Sequence, residues 1–337
     1  HLHRWPHAFY PGTTRSPAPT YRYGTVRSLN YDGALWFDVH PAPGKFQFAQ
    51  LDGWVERHHR DGKTLIYTLY GTPSWLTARP YVKDKYFREG GDSRPRDLAP
   101  LREFVTELVK RYNGDGTRRI RYLEVWNEPD FVGGPYWRDS ASDLAALARA
   151  VYQSAKAVDP EIRILYPSFV DLFGGPKVFR KMVTYARASD GADGRGVDWA
   201  DAMTFHHYHY ENDTAATLLD TIEGVRMTMR EIGREHWDLY LTEIGAGPQW
   251  TRNSPPLAQK IRTIEHWMMV AAAAGVRMIG LYSHETDHLG RPAEHPEVAA
   301  AITRMHDALV GRTIRTAAIL RDGSVWIRFA DGETLRK

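Results

Sequence analysis

Residues 120–166 read IRYLEVWNEPDFVGGPYWRDSASDLAALARAVYQSAKAVDPEIRILY, in which two apolar, β-prone runs at the ends enclose a helical pattern. Apolar side chains recur from Leu144 to Ala155 at the i, i+3, i+4 spacing of an amphipathic helix. We predict that Ser142 caps this helix and that Asp159-Pro160 ends it. A strand, a helix and a second strand in this order predict two parallel strands joined by a crossover helix.

The same alternation continues along the rest of the chain. Further β-prone runs lie at 21–28, 64–70, 202–205, 239–242 and 276–282, and further helical patterns at 98–112, 217–232 and 256–274. Together with an eighth strand at or before His1, these units predict an α/β fold, a (β/α)8 TIM barrel over residues 1–311. A doubly wound open sheet is the alternative, but no Gly-rich turn follows the first strand to favour it.

The pattern changes after about Arg312. Residues 317–329 (AAILRDGSVWIRF) contain two β-prone runs joined through Asp322-Gly323, which is a strong β-hairpin signal. A hairpin on its own is marginally stable in water. We therefore expect residues 312–337 to form a β-hairpin or a partial β-domain that packs on the barrel.

Composition and charge exclude several classes of function. The 337 residues include 44 Lys and Arg against 41 Asp and Glu, without the basic stripe that nucleic-acid binding requires. With no cysteine, the chain has no disulfide scaffold, thiolate metal site or Cys nucleophile. No apolar run approaches the ~18 residues that a membrane-spanning helix needs, and no signal peptide is visible. The compartment and the oligomeric state stay open, and the aromatic content of 12% is compatible with a surface that stacks flat apolar ligands.

Two carboxylates follow strands at the edge of the predicted barrel where catalytic groups lie, which is the edge formed by the carboxyl ends of the strands. The fourth predicted strand leads into Glu128 and the seventh into Glu243. Strands four and seven are three apart in a ring of eight, so we expect the two side chains to face each other. Opposed carboxylates suit glycoside hydrolysis, in which one protonates the leaving oxygen and the other attacks the anomeric carbon or activates water.

The residues around both glutamates resemble a known family. Trp126-Asn127-Glu128-Pro129, paired with Thr242-Glu243 at the end of a later strand, is similar to the retaining glycoside hydrolases of clan A. Within that clan the chain resembles glycoside hydrolase family 39, which includes β-xylosidases, α-L-iduronidases and bacterial exopolysaccharide hydrolases. The segments that carry this resemblance are Val26-Arg27, Trp36 with 43–46 (PGKF), Leu51-Asp52, 71–75 (GTPSW) and His206-x-Tyr208. It spans about residues 1–306 and implies hydrolysis of a carbohydrate by double displacement, without metal or organic cofactor.

The resemblance implies roles for four polar residues. It makes Glu128 the general acid/base and Glu243 the nucleophile, so that Glu128 needs a raised pKa while Glu243 stays ionised. It implies that Asn127 hydrogen-bonds the 2-hydroxyl of the sugar. Arg27, on the second strand, is expected to hold Glu243 ionised and oriented through its positive charge. A purely structural ion pair is the alternative role for Arg27.

Further residues are candidate substrate contacts. Tyr208 is expected to donate a hydrogen bond to Glu243 and His206 to line the site, with a layer of aromatic packing as the alternative for both. Pyranose rings stack on aromatic side chains, and the eighth strand lacks the Trp that clan A commonly has near the sugar, so the sugar itself stays open. The remaining candidates are the possible stacking platforms Trp75, Trp126 and Trp137, then Tyr282 and His284 in place of the missing Trp, and His3 beside the first strand.

Two other functions stay open from the residues alone. His1-Leu2-His3 resembles the His-x-His of metal-dependent amidohydrolases, and the histidines of 206–209 (HHYH) could add ligands. That mechanism also needs a bridging Lys at the fourth strand, where this chain has Glu128, and an Asp at the eighth, where Asp287 fits loosely. A barrel that binds glycans without cleaving them is the second alternative, although binding alone does not require two opposed glutamates.

Overall fold

The structure of the chain, a computed structural model, describes residues 3–4, 19–29, 33–81, 89–131, 136–170, 178–210, 213–247, 249–320 and 322–337. Its central element is a parallel β-sheet, formed by strands β2 to β8 side by side in chain order. A bridge between Leu165 and Ala202 links the two ladders into which this sheet divides. The described strands are β1 His3–Arg4, β2 Thr25–Arg27, β3 Thr64–Leu69, β4 Ile120–Val125, β5 Arg163–Leu165, β6 Met203–His209, β7 Leu239–Ala246, β8 Ile279–Leu281, β9 Thr313–Ile319, β10 Val325–Phe329 and β11 Thr334–Arg336.

Helices separate the consecutive strands of the parallel sheet. The helix after β4 is capped by Ser140, not by Ser142 as predicted, because the Ser140 hydroxyl accepts from the Asp143 N–H at 3.0 Å and Asp143 accepts from Ser140 in return. This reciprocal arrangement satisfies two N–H groups at once. The described helices are α1 Trp36–Val39, α2 Ala49–Arg60, α3 Ala99–Asn113, α4 Ala141–Val158, α5 Arg180–Arg187, α6 Ala215–Glu231, α7 Gln249–Asn253, α8 Leu257–Ala273 and α9 Pro296–Leu309.

The parallel sheet curves until its two ends approach each other. A guanidinium nitrogen of Arg27 on β2 lies 3.0 Å from a carboxylate oxygen of Glu243 on β7, on the concave side of the curved sheet. Near the rim, the ring of Tyr21 packs edge-on against His284, with centroids 5.6 Å apart. Among the described residues no ladder joins β8 back to β2. The predicted α/β fold with a parallel sheet is therefore confirmed, whereas a closed barrel is not observed in the described part of the chain.

The N-terminal segment differs from the expectation drawn from the sequence. We expected the first strand of the barrel at or before His1, but β1 pairs antiparallel with β9, with His3 opposite Ile314. The physical reason is the edge of β9, whose N–H and C=O groups need partners and receive some of them from β1. The described part of this segment therefore belongs to the C-terminal sheet, and the side chain of His3 lies outside the described residues.

The C-terminal strands form an antiparallel sheet that packs on the helix layer. Strands β9 and β10 pair with Val325 opposite Ile319, which confirms the predicted hairpin, and β11 pairs with β10. Val325, Ile327 and Phe329 are buried, as expected for one face of a strand that packs on a core. In the described parts of the chain, no helix is both long and apolar enough to span a bilayer.

Candidate active site

The structure brings Glu128 and Glu243 together at the carboxyl ends of the parallel strands. Glu128 follows β4 by three residues, and Glu243 lies within β7. Both side chains are buried, and one oxygen of each lies within 4.8 Å of the other and of a ring nitrogen of His206. Two carboxyl groups at this distance, away from bulk water, interact strongly enough that both do not ionise equally.

The backbone leaves β4 through an unusual turn that positions Glu128. Trp126 and Glu128 have positive φ angles of 68° and 43°, in the left-handed region that residues other than glycine rarely adopt. The Glu128 N–H donates to the Ser168 carbonyl at 2.9 Å, so the loop after β5 holds this conformation in place. Such local strain persists only where the surroundings enforce it, and it is frequent at functional sites.

Arg27 is the centre of a buried hydrogen-bond network beneath the two glutamates. Its guanidinium donates to Glu243 Oε2 at 3.0 Å and to Asn127 Oδ1 at 2.7 Å. Its Nε donates to Glu124 Oε2 at 2.7 Å. Because a guanidinium has donors only, the atom of Asn127 that faces Arg27 must be its oxygen, and the amide NH2 is turned the other way.

Glu124 is the part of this network that the sequence did not reveal. It lies within β4, fully buried, and its two oxygens accept hydrogen bonds from the hydroxyls of Thr68 and Thr242, each at 2.8 Å, in addition to Arg27. A buried carboxylate is stable only when most of its lone pairs are satisfied in this way. The signal that could have found it is the single acidic residue of the β-prone run IRYLEVW at 120–126.

Strand β6 contributes a partner to each glutamate. His206 and Tyr208 are two positions apart, so they point to the same face of the sheet. Nδ1 of His206 lies 2.7 Å from Glu128 Oε1, and the Tyr208 hydroxyl donates to Glu243 Oε1. Burial lowers the pKa of His206 well below its ordinary value, with the charge of Arg27 acting in the same direction, so this imidazole stays neutral.

The two glutamates have different pKa values because their surroundings differ. Burial raises the pKa of Glu128 well above its ordinary value, and the negative charge of Glu243 adds to this shift. Burial also raises the pKa of Glu243, but the Arg27 charge and the Tyr208 hydrogen bond oppose that effect. Glu243 therefore ionises first, and Glu128 keeps its proton to higher pH.

The three tryptophans predicted as stacking platforms lie in packed surroundings. Trp126 and Trp137 are buried and meet edge-on, with ring centroids 4.8 Å apart. Trp137 also lines a cavity of about 330 Å3 beside Asp130. Trp75 is partly exposed, and its indole N–H donates to the carbonyl of His40 at 2.9 Å. None of these contacts reaches the carboxylates, and a sugar-stacking role for these rings stays a prediction.

The candidates at the eighth strand occupy different places. The ring of Tyr282 meets that of Tyr208 edge-on at 6.4 Å, which brings it close to the carboxylate pair. His284 is buried against Tyr21 instead. Asp287, which the metal-hydrolase alternative requires as a ligand, is 2.8 Å from the ammonium group of Lys260.

The structure also separates the histidines of β6. His206 faces Glu128, whereas His207 and His209 point to the opposite face of the strand, toward helices α6 and α8. Within the described residues, the ligand set expected for an amidohydrolase-like site is therefore not brought together.

Solved structures with a similar fold include enzymes that act on glycosides. A glucosidase from Croceicoccus marinus superposes with a TM-score of 0.64 at 14% identity, over 97% of this chain and 75% of its own. A family 39 glycoside hydrolase from Bacteroides cellulosilyticus WH2 gives 0.63 at 15% identity, over 98% of this chain and 69% of its own. A GH39 β-xylosidase from Caulobacter crescentus gives 0.59 at 16% identity, over 90% and 70%.

The chain therefore shares its fold with glycoside hydrolases of family 39. The resemblance that rests on the Trp126–Pro129 and Thr242-Glu243 motifs is confirmed at the level of the fold. No family model and no curated protein matches the chain.

Proposed function

We propose that the chain is a retaining glycoside hydrolase that cleaves O-glycosidic bonds of an oligo- or polysaccharide. The observation that carries the proposal is the buried pair Glu128 and Glu243, with oxygens within 4.8 Å of each other. The two carboxyl groups are ~5–5.5 Å apart in glycosidases that retain the anomeric configuration. In those that invert it they are ~6.5–9.5 Å apart, which leaves room for a water molecule. Two oxygens within 4.8 Å of each other are compatible with the spacing of a retaining pair, and the glucosidase and β-xylosidase with a similar fold support hydrolysis of a glycoside.

In the first step, Glu128 transfers its proton to the departing glycosidic oxygen while Glu243 attacks the anomeric carbon. The carbon–oxygen bond to the leaving group breaks, and an ester bond between Glu243 and the sugar forms. The raised pKa of Glu128, caused mainly by burial, keeps the proton available for this transfer. Arg27 and Tyr208 each hold one oxygen of Glu243, and this fixes the direction of the carboxylate.

In the second step, Glu128 acts as a base. As a carboxylate it takes a proton from a water molecule, whose oxygen attacks the anomeric carbon and releases Glu243. The neutral His206 donates from Nδ1 to Glu128 Oε1 and stabilises this carboxylate without adding a charge. The cycle ends with Glu128 protonated and Glu243 ionised, as it began.

Asn127 supports the substrate rather than the proton transfer. Its oxygen is occupied by Arg27 at 2.7 Å, so its NH2 group is the part left to meet a ligand. This orientation suits donation to the 2-hydroxyl of a sugar, an interaction that strengthens in the transition state of glycoside hydrolysis.

The organisation of the chain follows from the same proposal. We infer that the parallel-sheet part of residues 1–311 forms a catalytic unit derived from the (β/α)8 barrel, and that residues 312–337 form an accessory β-structure to which β1 contributes a strand. The curvature that brings Arg27 and Glu243 to 3.0 Å supports the barrel-like arrangement. The parallel strands in chain order support it as well.

The test is a panel of aryl glycosides and bacterial polysaccharides, with the configuration of the first-formed product followed by NMR. Release of the sugar with the configuration of the substrate supports double displacement. Release of the opposite configuration contradicts the assignment of Glu243 as nucleophile, even if the chain is a hydrolase.

A further inference from the structure

Strand β6 carries a second group of polar side chains on the face that points away from the carboxylates. His207 and His209 are two positions apart and share that face. Nδ1 of His207 lies 3.1 Å from the Thr221 hydroxyl on α6, and the ring of His209 meets Trp267 on α8 edge-on at 5.7 Å. These histidines therefore lie between the sheet and the helix layer.

Asp213, just beyond the end of β6, completes a cluster with the two histidines. His207, His209 and Asp213 each offer one donor atom, and the three atoms lie within 4.8 Å of one another. A tetrahedral zinc ion with bonds of ~2.0–2.2 Å needs its ligands roughly 3.4 Å apart, so small side-chain rotations would close this set around an ion. Imidazole and carboxylate are the ligand types that divalent zinc, nickel and cobalt accept.

The hydrogen bonds around Thr221 determine which nitrogen of His207 carries the proton. The Thr221 hydroxyl donates to the Thr217 carbonyl at 3.0 Å, so its single hydrogen is used there. It must then accept from His207, which makes Nδ1 the protonated nitrogen and leaves Nε2 with a lone pair. In the described parts of the chain no group hydrogen-bonds this buried Nε2.

A buried lone pair without a partner is unfavourable, and a metal ion is one group that would satisfy it. A metal-binding histidine whose other nitrogen donates to a fixed acceptor is the usual arrangement around such ions.

A cavity gives access to this cluster from outside. It has a volume of about 480 Å3, and His209 and Asp213 are on its wall together with Trp250 and Trp267. A space of this size admits an ion together with the water molecules that complete its coordination shell.

We propose that His207, His209 and Asp213 bind a divalent transition-metal ion of the zinc class, with Thr221 orienting His207. The ion would lie on the opposite face of β6 from His206 and Tyr208. It would therefore hold the strand that carries both partners of the carboxylates, and it takes no part in the proposed hydrolysis.

The experiment uses Co2+ as a spectroscopic probe on the full chain after treatment with a chelator and dialysis. We expect one Co2+ per chain with the visible absorption of a low-symmetry site, and displacement of that absorption by Zn2+. His209→Gln and Asp213→Asn should both lose it, and Asp213 is partly exposed, so its variant should still fold. A chain that binds no Co2+, or variants that bind it as the parent does, would overturn the proposal.

Two control variants distinguish Co2+ binding at this site from binding at other histidines of the chain. Replacing both His1 and His3 by Ala should leave the Co2+ spectrum unchanged. If these two histidines bound the ion instead, this variant would lose the spectrum. Glu243→Gln should leave it unchanged as well, because Glu128, His206 and Glu243 form another cluster with donor atoms within 4.8 Å of one another. Loss of the spectrum in either control would assign the metal elsewhere and overturn the proposal. Glu243→Gln also keeps this test independent of hydrolysis.

The role of Thr221 has its own readout. Thr221→Val removes the acceptor for Nδ1 but keeps the shape of the side chain. We expect Co2+ affinity to fall by ~10–100-fold with the stoichiometry still one per chain. Unchanged affinity would contradict the orientation of His207 inferred from the hydrogen bonds.

Discussion

Two buried glutamates of the chain carry their charge in different ways. Glu124, in β4, is enclosed by Arg27, Thr68 and Thr242, which are all buried, so each of its hydrogen bonds is made away from solvent. Glu265, in α8, is also buried, yet its cationic partners come from the surface. The carboxylate of Glu124 therefore depends on buried protein groups for its stabilisation, whereas that of Glu265 depends on them much less.

The partners of Glu265 show why. The side chains of Lys337 and Arg304 lie 2.6 Å and 3.5 Å from its carboxylate and are 40% and 62% exposed. Both cations stay solvated whether or not the glutamate is charged. The contact with Lys337 joins the C-terminal segment to α8, whereas the network around Glu124 holds Arg27, and through it Glu243 and Asn127, in one arrangement.

The largest expected effect concerns Glu243, to which Arg27 donates a hydrogen bond. Glu243→Gln keeps the size and the hydrogen-bonding shape of the side chain but removes the nucleophile. We expect turnover of an aryl glycoside to fall by on the order of 10⁴–10⁶-fold, with an unchanged far-UV circular dichroism spectrum. Near-normal turnover in this variant would mean that the buried network serves some purpose other than this chemistry.

The second effect concerns the acid/base. Glu128→Ala should reduce turnover by ~10²–10⁴-fold, and the loss should be smaller for substrates whose leaving group needs no proton. On such an activated aryl glycoside, azide should restore activity, because it can attack the glycosyl-enzyme without a base. The glycosyl azide is the product to measure, and no rescue would count against Glu128 as acid/base.

The third prediction compares the two buried glutamates directly. Glu124→Gln replaces charge-assisted hydrogen bonds by neutral ones and should lower the free energy of unfolding by ~1.5–3 kcal/mol. Glu265→Gln is the matched variant and should lower it by less than ~1 kcal/mol, since its partners are exposed. Urea unfolding measures both, and equal losses would refute the distinction between the two sites.

The same pair of variants separates positioning from stability. We expect kcat/KM to fall by roughly 10²-fold in Glu124→Gln, because displaced reacting groups have effects of this size, and to stay unchanged in Glu265→Gln. The negative charge of Glu124 is one of the influences that raise the pKa of Glu243. Its removal should therefore move the acidic limb of the pH–rate profile to lower pH, a change that a merely structural role would not produce.

The smallest expected effect is a change in how the thermal stability of the chain depends on pH when Glu128 is replaced. The pKa of Glu128 is raised in the folded chain, chiefly by burial, so between the unfolded and folded pKa values the folded state binds more protons. Stability contributed by this group is thus present below the unfolded pKa of ~4.3 and is lost as pH rises. Glu128→Gln should unfold at a higher temperature than the parent at pH 7 and at the same temperature near pH 4, as measured by thermal unfolding followed by circular dichroism. A variant no more stable at pH 7 would contradict the raised pKa.

Part of the candidate site could be predicted from sequence because it depends on local pattern. A carboxylate that follows an apolar strand lies at the carboxyl edge of a parallel sheet, and Glu128 and Glu243, three strands apart, face each other once that sheet curves. Residues that depend on contacts between distant strands were harder to predict. Glu124 is the single acidic residue of the run at 120–126, and its four hydrogen-bonding contacts come from three other strands.

The N-terminal strand shows the same limit for the fold. The alternation of strands and helices determined the order of the parallel sheet, since apolar periodicity is a local property of the chain. The partner of His3–Arg4 was decided by the unpaired edge of β9, more than 300 positions away in sequence.

The sequence by itself determined the α/β class, the C-terminal hairpin and two glutamates near the carboxyl ends of parallel strands. Only the tertiary structure decided which glutamate keeps its proton, because that depends on burial and on the charge of Arg27. It also decided that His206 and Tyr208 face the carboxylates while His207 and His209 face the helices. The alternation of β6 separates these two pairs, but which face points inward is set by packing of the whole sheet, which no local pattern encodes.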